Sequence, residues 1–157
     1  MIEEIYTYFT IEMIFMWLNL GVLPFWFVLI VFPQSQICRV FITSIFPIFI
    51  LSLAYGYLLY LFFNEDYDFI GNFELYRGLD AVSNLFTDKA FIILFWLHFL
   101  AMNLFCGGWI VKDSQKFGIN KVLLSFPILI TYFIGPIGLT LYWIIRIFYA
   151  KRINLYD

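Results

Sequence analysis

Apolar residues run along this chain in four long blocks with little polar interruption, at about Ile11 to Phe32, Val40 to Phe63, Ala90 to Val111 and Val122 to Ile145. Each is near or above the roughly 20 residues that a helix needs to cross the hydrocarbon of a bilayer. Backbone N–H and C=O groups cannot be left unpaired in lipid, so such blocks are read as helices rather than isolated strands. The expected fold is an all-α integral membrane protein, a four-transmembrane-helix bundle making one domain over residues 1–157. Residues 64–89 break the pattern with Glu65, Asp66, Asp68, Glu74, Arg77, Asp80, Asp88 and Lys89. Within them Leu75, Tyr76, Leu79, Val82 and Phe86 recur at helical spacing, with Asn72 placed to cap and Glu74 in the first turn. A short amphipathic helix, on the membrane surface or capping the bundle, is expected there.

Polar and helix-breaking residues inside the blocks mark where the helices bend. Pro24 removes a backbone donor, frees the carbonyl of Leu20 and opens room near Asn19, while Pro47 is expected to kink the second span. Tyr55, Tyr57 and Tyr60 read as an interfacial belt. The fourth block holds Pro127, Thr131, Tyr132 and the tight Gly135-Pro136-Ile137-Gly138 step, where small residues allow close helix approach and Pro136 bends the chain at mid-membrane depth. Gly118 suits the end of the third helix, and Pro33-Gln34-Ser35-Gln36 makes a short turn between the first two.

Composition agrees with this class. Of the 157 residues 64% are hydrophobic, 24% aromatic and only 13% charged, more apolar surface than a soluble globule could hide. A net charge of -2 without a basic stripe excludes nucleic acid as a partner. Cys38 near a membrane edge and Cys106 in the middle of a span are not expected to pair, and one histidine cannot assemble a zinc site without several carboxylates to join it. No Lys or Arg precedes Arg39, so the first apolar block lacks the basic start of a signal peptide and is expected to be retained.

Charge decides orientation only narrowly. With four spans, the acidic N-terminal stretch (Glu3, Glu4, Glu12), the 64–89 connector and the tail share one face carrying Arg77, Lys89, Arg146, Lys151 and Arg152. The loops 33–39 and 112–121 share the other, with Arg39, Lys112, Lys116 and Lys121. Weighting basic residues close to the spans places the two short loops in the cytoplasm.

The candidate chemistry centres on Trp96-Leu97-His98 and Asn103 in the third block, which holds the protein's one histidine. Polar side chains in hydrocarbon are costly and point to function. His98 and Asn103, five positions apart, lie about 140° apart around a helix at 3.6 residues per turn. His98 therefore needs a partner on another span, with Asn19, Ser125, Thr131 and Tyr132 as candidates, whereas Trp96 and Asn103 share one face. His98 and Asn103 are the candidate catalytic groups, and Asn19, Trp96, Thr131 and Tyr132 the candidate ligand contacts. An imidazole can act as a neutral acid/base or as a hydrogen-bond donor to an amphiphile arriving from the lipid. A purely structural role, tying helices together, fits a lone histidine equally well. No cofactor motif is present.

Several of these residues carry a resemblance. Asn19 with Leu23-Pro24 and Trp26, Gly78-Leu79 leading to Leu85-Phe86, Trp96-Leu97-His98 followed by Leu104-Phe105, Lys112-Asp113 with Gly118-Ile119, and Gly135-Pro136-Ile137-Gly138 occur in order across nearly the whole chain. Together they resemble the abscisic-acid-deficient-four-like, or neoxanthin synthase-like, family of small membrane proteins. The resemblance implies a place in carotenoid-type isoprenoid metabolism. It also implies an aspartate five residues after the histidine, where this chain has Asn103, an amide that cannot exchange a proton near neutral pH.

Two functions follow as expectations: a membrane-embedded enzyme of lipid or carotenoid-like isoprenoid metabolism, an isomerase using His98, or a non-catalytic protein that binds a hydrophobic ligand or supports a partner enzyme. The expected partners are the lipid bilayer and a hydrophobic small molecule, with a homodimer through the small-residue surface at Gly107-Gly108. Transport is weaker, because four spans are few for a solute carrier and no charge lies well inside the apolar runs to couple an ion.

Overall fold

Helix start and stop signals account for several of the element boundaries. In the computed structural model, which describes residues 9–154, the elements are α1 (Ile11–Val31), α2 (Phe46–Asn64), α3 (Leu79–Leu85), α4 (Lys89–Lys116), α5 (Lys121–Phe133) and α6 (Gly135–Ala150). A π-helical turn at Cys38–Ile42 and a 3₁₀ turn at Gly71–Tyr76 complete them, with no strand among the described residues. Glu3 and Glu4 of the acidic stretch lie outside those residues. The Asp88 carboxylate accepts from Ala90 N–H at 2.8 Å to open α4, and the Asn120 side chain accepts from Val122 N–H at 2.8 Å to open α5. As expected, Gly118 closes α4: its φ of +61° lies in the left-handed region, and Ile119 N–H reaches back to the Ser114 carbonyl at 3.2 Å.

By length and composition α1, α2 and α4, of 21, 19 and 28 residues, can cross a membrane. Three expected boundaries are corrected. The second apolar block does not begin its long helix at Val40: residues 38–42 form the π-helical turn, and α2 starts only at Phe46. The Ser44 hydroxyl, donating to the Phe41 carbonyl, accepts from Phe46 N–H at 3.1 Å. Pro47 thus falls in the first turn, where a missing N–H costs nothing, and begins the helix rather than kinking it. The connector is likewise two short pieces and not one amphipathic helix. They break at Gly78, whose φ of +149° disfavours any side chain, and Asn72 caps nothing, accepting instead from the Tyr67 hydroxyl at 2.8 Å.

The third correction concerns the fourth block. No single helix covers 122–145; the chain stops at Phe133, turns through Ile134 and restarts at Gly135 with Pro136 in the first turn. A Cβ on Gly138 would run into the backbone of Thr131, seven residues earlier. An unbroken helix would separate two such positions by about 10 Å at 1.5 Å rise per residue. The α5 and α6 legs are therefore folded back on one another.

The chain clusters into two units, 1–20 with 50–100 and 21–49 with 101–157. In the first, Ile14 and Leu18 of α1, Leu51, Leu58 and Phe62 of α2 and Leu97 of α4 are buried. Tyr55 is half-buried, and Tyr57 and Tyr60 face outwards. So do Ile70, Phe73, Tyr76 and Leu79 of the connector, spaced by three, which is the spacing at which side chains superpose in a 3₁₀ turn. In the second unit, Gly107 lies beneath Trp26, whose ring carbons would be 2.9 Å from a Cβ there, and Gly108 lies 3.7 Å from the Ile42 carbonyl by the same measure. Both glycines are buried inside the chain, Gly107 under the Trp26 ring and Gly108 against the backbone of Ile42 and Thr43.

The hairpin is anchored in this second unit by α4. Asn103 Nδ2 donates to the carbonyl of Tyr132 at 3.4 Å, close to the turn, and Asn103 Oδ1 fills the space a side chain on Gly135 would need. Ten residues along α4, Asp113 holds Tyr142 and Arg146 of α6. The α5 leg thus runs from beyond the Lys116 end of α4 to the level of Asn103, and α6 returns alongside α4 to the level of Asp113.

Candidate functional site

The candidate residues separate into two groups, one per unit. In the first unit, Asn19 Oδ1 accepts from Trp96 Nε1 at 3.0 Å while Asn19 Nδ2 donates to the Phe15 carbonyl one turn earlier at 2.7 Å. The Trp96 indole stacks on Phe99 with centroids 5.2 Å apart and leans on Phe15 at 5.9 Å. Asn19 is thus a tie between α1 and α4, and both ends of its amide are used. His98, two residues on, is exposed on the outer side of α4 and makes no hydrogen bond among the described residues. Within its unit the structure does not join it to Asn19, whose amide is taken by Trp96 and Phe15. Phe86 packs edge-on against Phe95 and Phe91 beside that stretch, with centroids 4.9 and 5.4 Å apart, and Phe91 stacks on Phe95.

In the second unit, Asn103, Thr131 and Tyr132 do come together, at the hairpin turn. Thr131 is fully buried, its hydroxyl donating to the Pro127 carbonyl at 2.8 Å. The Tyr132 ring packs edge-on against Trp26 at 5.3 Å, and its backbone carbonyl takes the Asn103 amide. Ser125 donates to the Ile30 and Lys121 carbonyls. Of these bonds, the one from Asn103 meets backbone that the turn leaves without a helical partner, because the residue four beyond Tyr132 is Pro136, which has no N–H to offer.

The residues that sequence reasoning missed are Asp113, Tyr142 and Arg146. Asp113 Oδ2 accepts from the Tyr142 hydroxyl at 2.6 Å and from Arg146 Nε at 2.7 Å, with the two charged side chains only 4% and 1% exposed. Arg146 also donates from Nη1 to the Asn154 carbonyl at 2.8 Å and lies 4.8 Å above the Phe117 ring centroid. Lys116 Nζ lies 3.9 Å from the other carboxylate oxygen of Asp113, so the buried carboxylate is met by two cations and a hydroxyl, the kind of compensation a buried ion pair needs. The signal was available: Arg146 interrupts Ile144-Ile145-Arg146-Ile147-Phe148 and shares a helix face with Tyr142, four residues earlier.

Where Gly108 carries no side chain, a groove of about 310 Å³ opens between residues 42–48 and α4, lined by Ile42, Ile45, Ile48, Leu104 and Phe105 with Lys112 at its margin. Cys38 and Cys106 are both free thiols, and among the described residues no group of His, Cys, Asp and Glu is placed to hold a metal.

Known proteins match in the same sense. Residues 13–142 match the ABA DEFICIENT 4-like family. Among curated proteins, Protein ABA DEFICIENT 4, chloroplastic, of Arabidopsis thaliana is 23% identical over 129 residues, which is 80% of this chain and 57% of that protein. The chain thus spans little more than half the length of that relative. No solved structure matches it. With the family pattern covering α1 through Tyr142, and Asn19, His98, Asn103 and the hairpin turn all inside the matched range, this chain belongs to the ABA DEFICIENT 4-like family.

Proposed function

We propose that this protein spans the bilayer with α1, α2 and α4 and acts on a hydrophobic ligand dissolved in it, of lipid or carotenoid-like isoprenoid class, with His98 as the group that meets the ligand. The observation that carries this reading is the placement of His98. It is the tenth residue of α4, about 15 Å from the start of that helix at 1.5 Å per residue and so near the middle of a hydrocarbon core about 30 Å thick. It is also exposed and without a hydrogen bond among the described residues, while Asn19, Trp96 and Asn103 are all engaged. A polar side chain kept unsatisfied in an apolar stretch is costly without a use. The resemblance to the neoxanthin synthase-like group supplies the ligand class.

Neutral imidazole carries a donor at one nitrogen and an acceptor at the other. It can take a proton from one carbon of an unsaturated chain and return it to another, which shifts a double bond with no net change in composition and no co-reactant. That is the isomerase reading. Gentle purification from membranes, extraction and mass spectrometry tests it against His98→Ala: a defined isoprenoid enriched and converted by the native protein alone supports it. Equal turnover in a folded His98→Ala protein ends it.

A non-catalytic role, binding the ligand or supporting a partner enzyme, is favoured by Asn103. The position where the family resemblance implies a carboxylate holds an amide, and that amide is spent on the Tyr132 carbonyl. Ligand enrichment without turnover decides for this reading. A homodimer is read directly by crosslinking in native membranes.

A further inference from the structure

The hairpin changes where the end of the chain comes out. Its legs of 13 and 16 residues are about 20 and 24 Å long at 1.5 Å per residue, each short of the roughly 30 Å hydrocarbon thickness. They begin after Asn120 and end beside Asp113, at the same end of α4. A four-span chain would instead return its tail to the side of the 64–89 connector.

That return gathers charge. Arg39, Lys112, Lys116, Lys121, Arg146, Lys151 and Arg152, seven of the nine basic residues in the sequence, belong to the second unit. Six of them are exposed, Arg146 being the buried one. The acid of that unit among the described residues is Asp113, itself buried against Arg146. In the first unit Arg77 and Lys89 stand among Glu12, Glu65, Asp66, Asp68, Glu74, Asp80 and Asp88. The near tie of the four-span count becomes seven against two.

We propose that α5 and α6 form a re-entrant hairpin, and that the basic end it completes rests on the anionic headgroups of the cytoplasmic leaflet. Basic residues flanking spans are retained on the cytoplasmic side and are drawn to the negative surface potential there. Arg39, Lys112 and Lys121 sit next to apolar helix ends, where a long side chain can lay its stem on hydrocarbon and its charge among phosphates. The proposal rests on the membrane-spanning part of the reading above and is independent of the ligand.

The test is side-specific labelling in full-length protein with Cys38→Ser and Cys106→Ala, carrying single cysteines as Gln36→Cys, Asp80→Cys or Ile153→Cys. In sealed inverted vesicles, an impermeant maleimide should label Gln36→Cys and Ile153→Cys at once, and Asp80→Cys only after permeabilisation. Protection of Ile153→Cys together with Asp80→Cys restores four spans and overturns the hairpin. Protection of Gln36→Cys with Asp80→Cys open overturns the orientation. Labelling of all three without permeabilisation overturns spanning itself, and with it the wider reading. For the headgroup contact, protein reconstituted in equal phosphatidylglycerol and phosphatidylcholine and re-extracted should keep the anionic lipid in several-fold excess. The excess should vanish in Lys112→Gln/Lys121→Gln/Lys151→Gln, and an even ratio in the native protein overturns the docking.

Discussion

Asn103 Nδ2 donates to the backbone carbonyl of Tyr132 across 3.4 Å, so the side chain at the hairpin turn is employed in holding the fold. The bond is long for an N–H···O contact and correspondingly weak. Asn103→Ala is expected to lower stability by about 1 kcal/mol, read as Tm in mild detergent, with ligand enrichment intact if His98 alone meets the ligand. Loss of enrichment in a protein that still melts cooperatively would place Asn103 in the ligand site.

Gly138 offers a harsher test of the hairpin. A methyl group there has nowhere to go but into the Thr131 backbone, and overpacking of a tight contact costs about 1–3 kcal/mol or more. Gly138→Ala should therefore melt well below the native protein, while Gly21→Ala, whose added methyl meets nothing within 4 Å, should melt at or above it. Equal melting of the two would mean that the legs are not in contact.

The Asp113–Arg146 pair is expected to be worth more when broken than when replaced. Arg146→Met leaves a buried carboxylate with only the Tyr142 hydroxyl as a close donor, and loss of one partner of a buried pair typically costs about 3–5 kcal/mol. Arg146→Met with Asp113→Leu removes both charges and should recover much of that loss. A double mutant no better than the single one would show the charges themselves to be needed, as they would be for function.

Cys38 supplies a pH prediction outside the long apolar helices. Burial raises its thiol to about 11, above the unfolded value, so the folded state favours the neutral form. Stability linked to this group is whole below the unfolded pKa and is lost as pH rises through the folded one. Iodoacetamide should modify Cys38 very slowly at pH 8 and faster as pH approaches 11. Rapid modification at pH 8 would show that the 38–42 turn opens.

Much of this architecture could be read from the sequence because hydropathy reports which segments avoid water. The Ile11 to Phe32 block matches α1 within one residue, and Gly118 ends α4 as its type suggests. Hydropathy is blind to direction, however: a run such as 122–145 is equally apolar whether it crosses or folds back. The Gly135-Pro136-Ile137-Gly138 step announced a bend at the right place, but the size of the bend depends on Gly138 meeting Thr131, a contact no composition records. Pairing was hidden in the same way. Asn19 and Asn103 stood out as polar residues in apolar runs, yet their partners, Trp96 and a backbone carbonyl, could be named only in three dimensions. Arg146 was absorbed into the basic tail because its counter-ion lies 33 residues away.

The fold-back at Ile134 also has an electrostatic consequence. Each helix behaves as if about half a positive charge sat at its N-terminus and half a negative charge at its C-terminus. At the turn the C-terminal end of α5 meets the N-terminal end of α6, and the two partial charges face each other at close range. The apolar tip therefore needs no counter-ion, in keeping with a stretch from Val122 to Ile145 without one Asp, Glu, Lys, Arg or His. The uncompensated pole at the far end of α6 is negative, and Lys151 and Arg152 follow it directly.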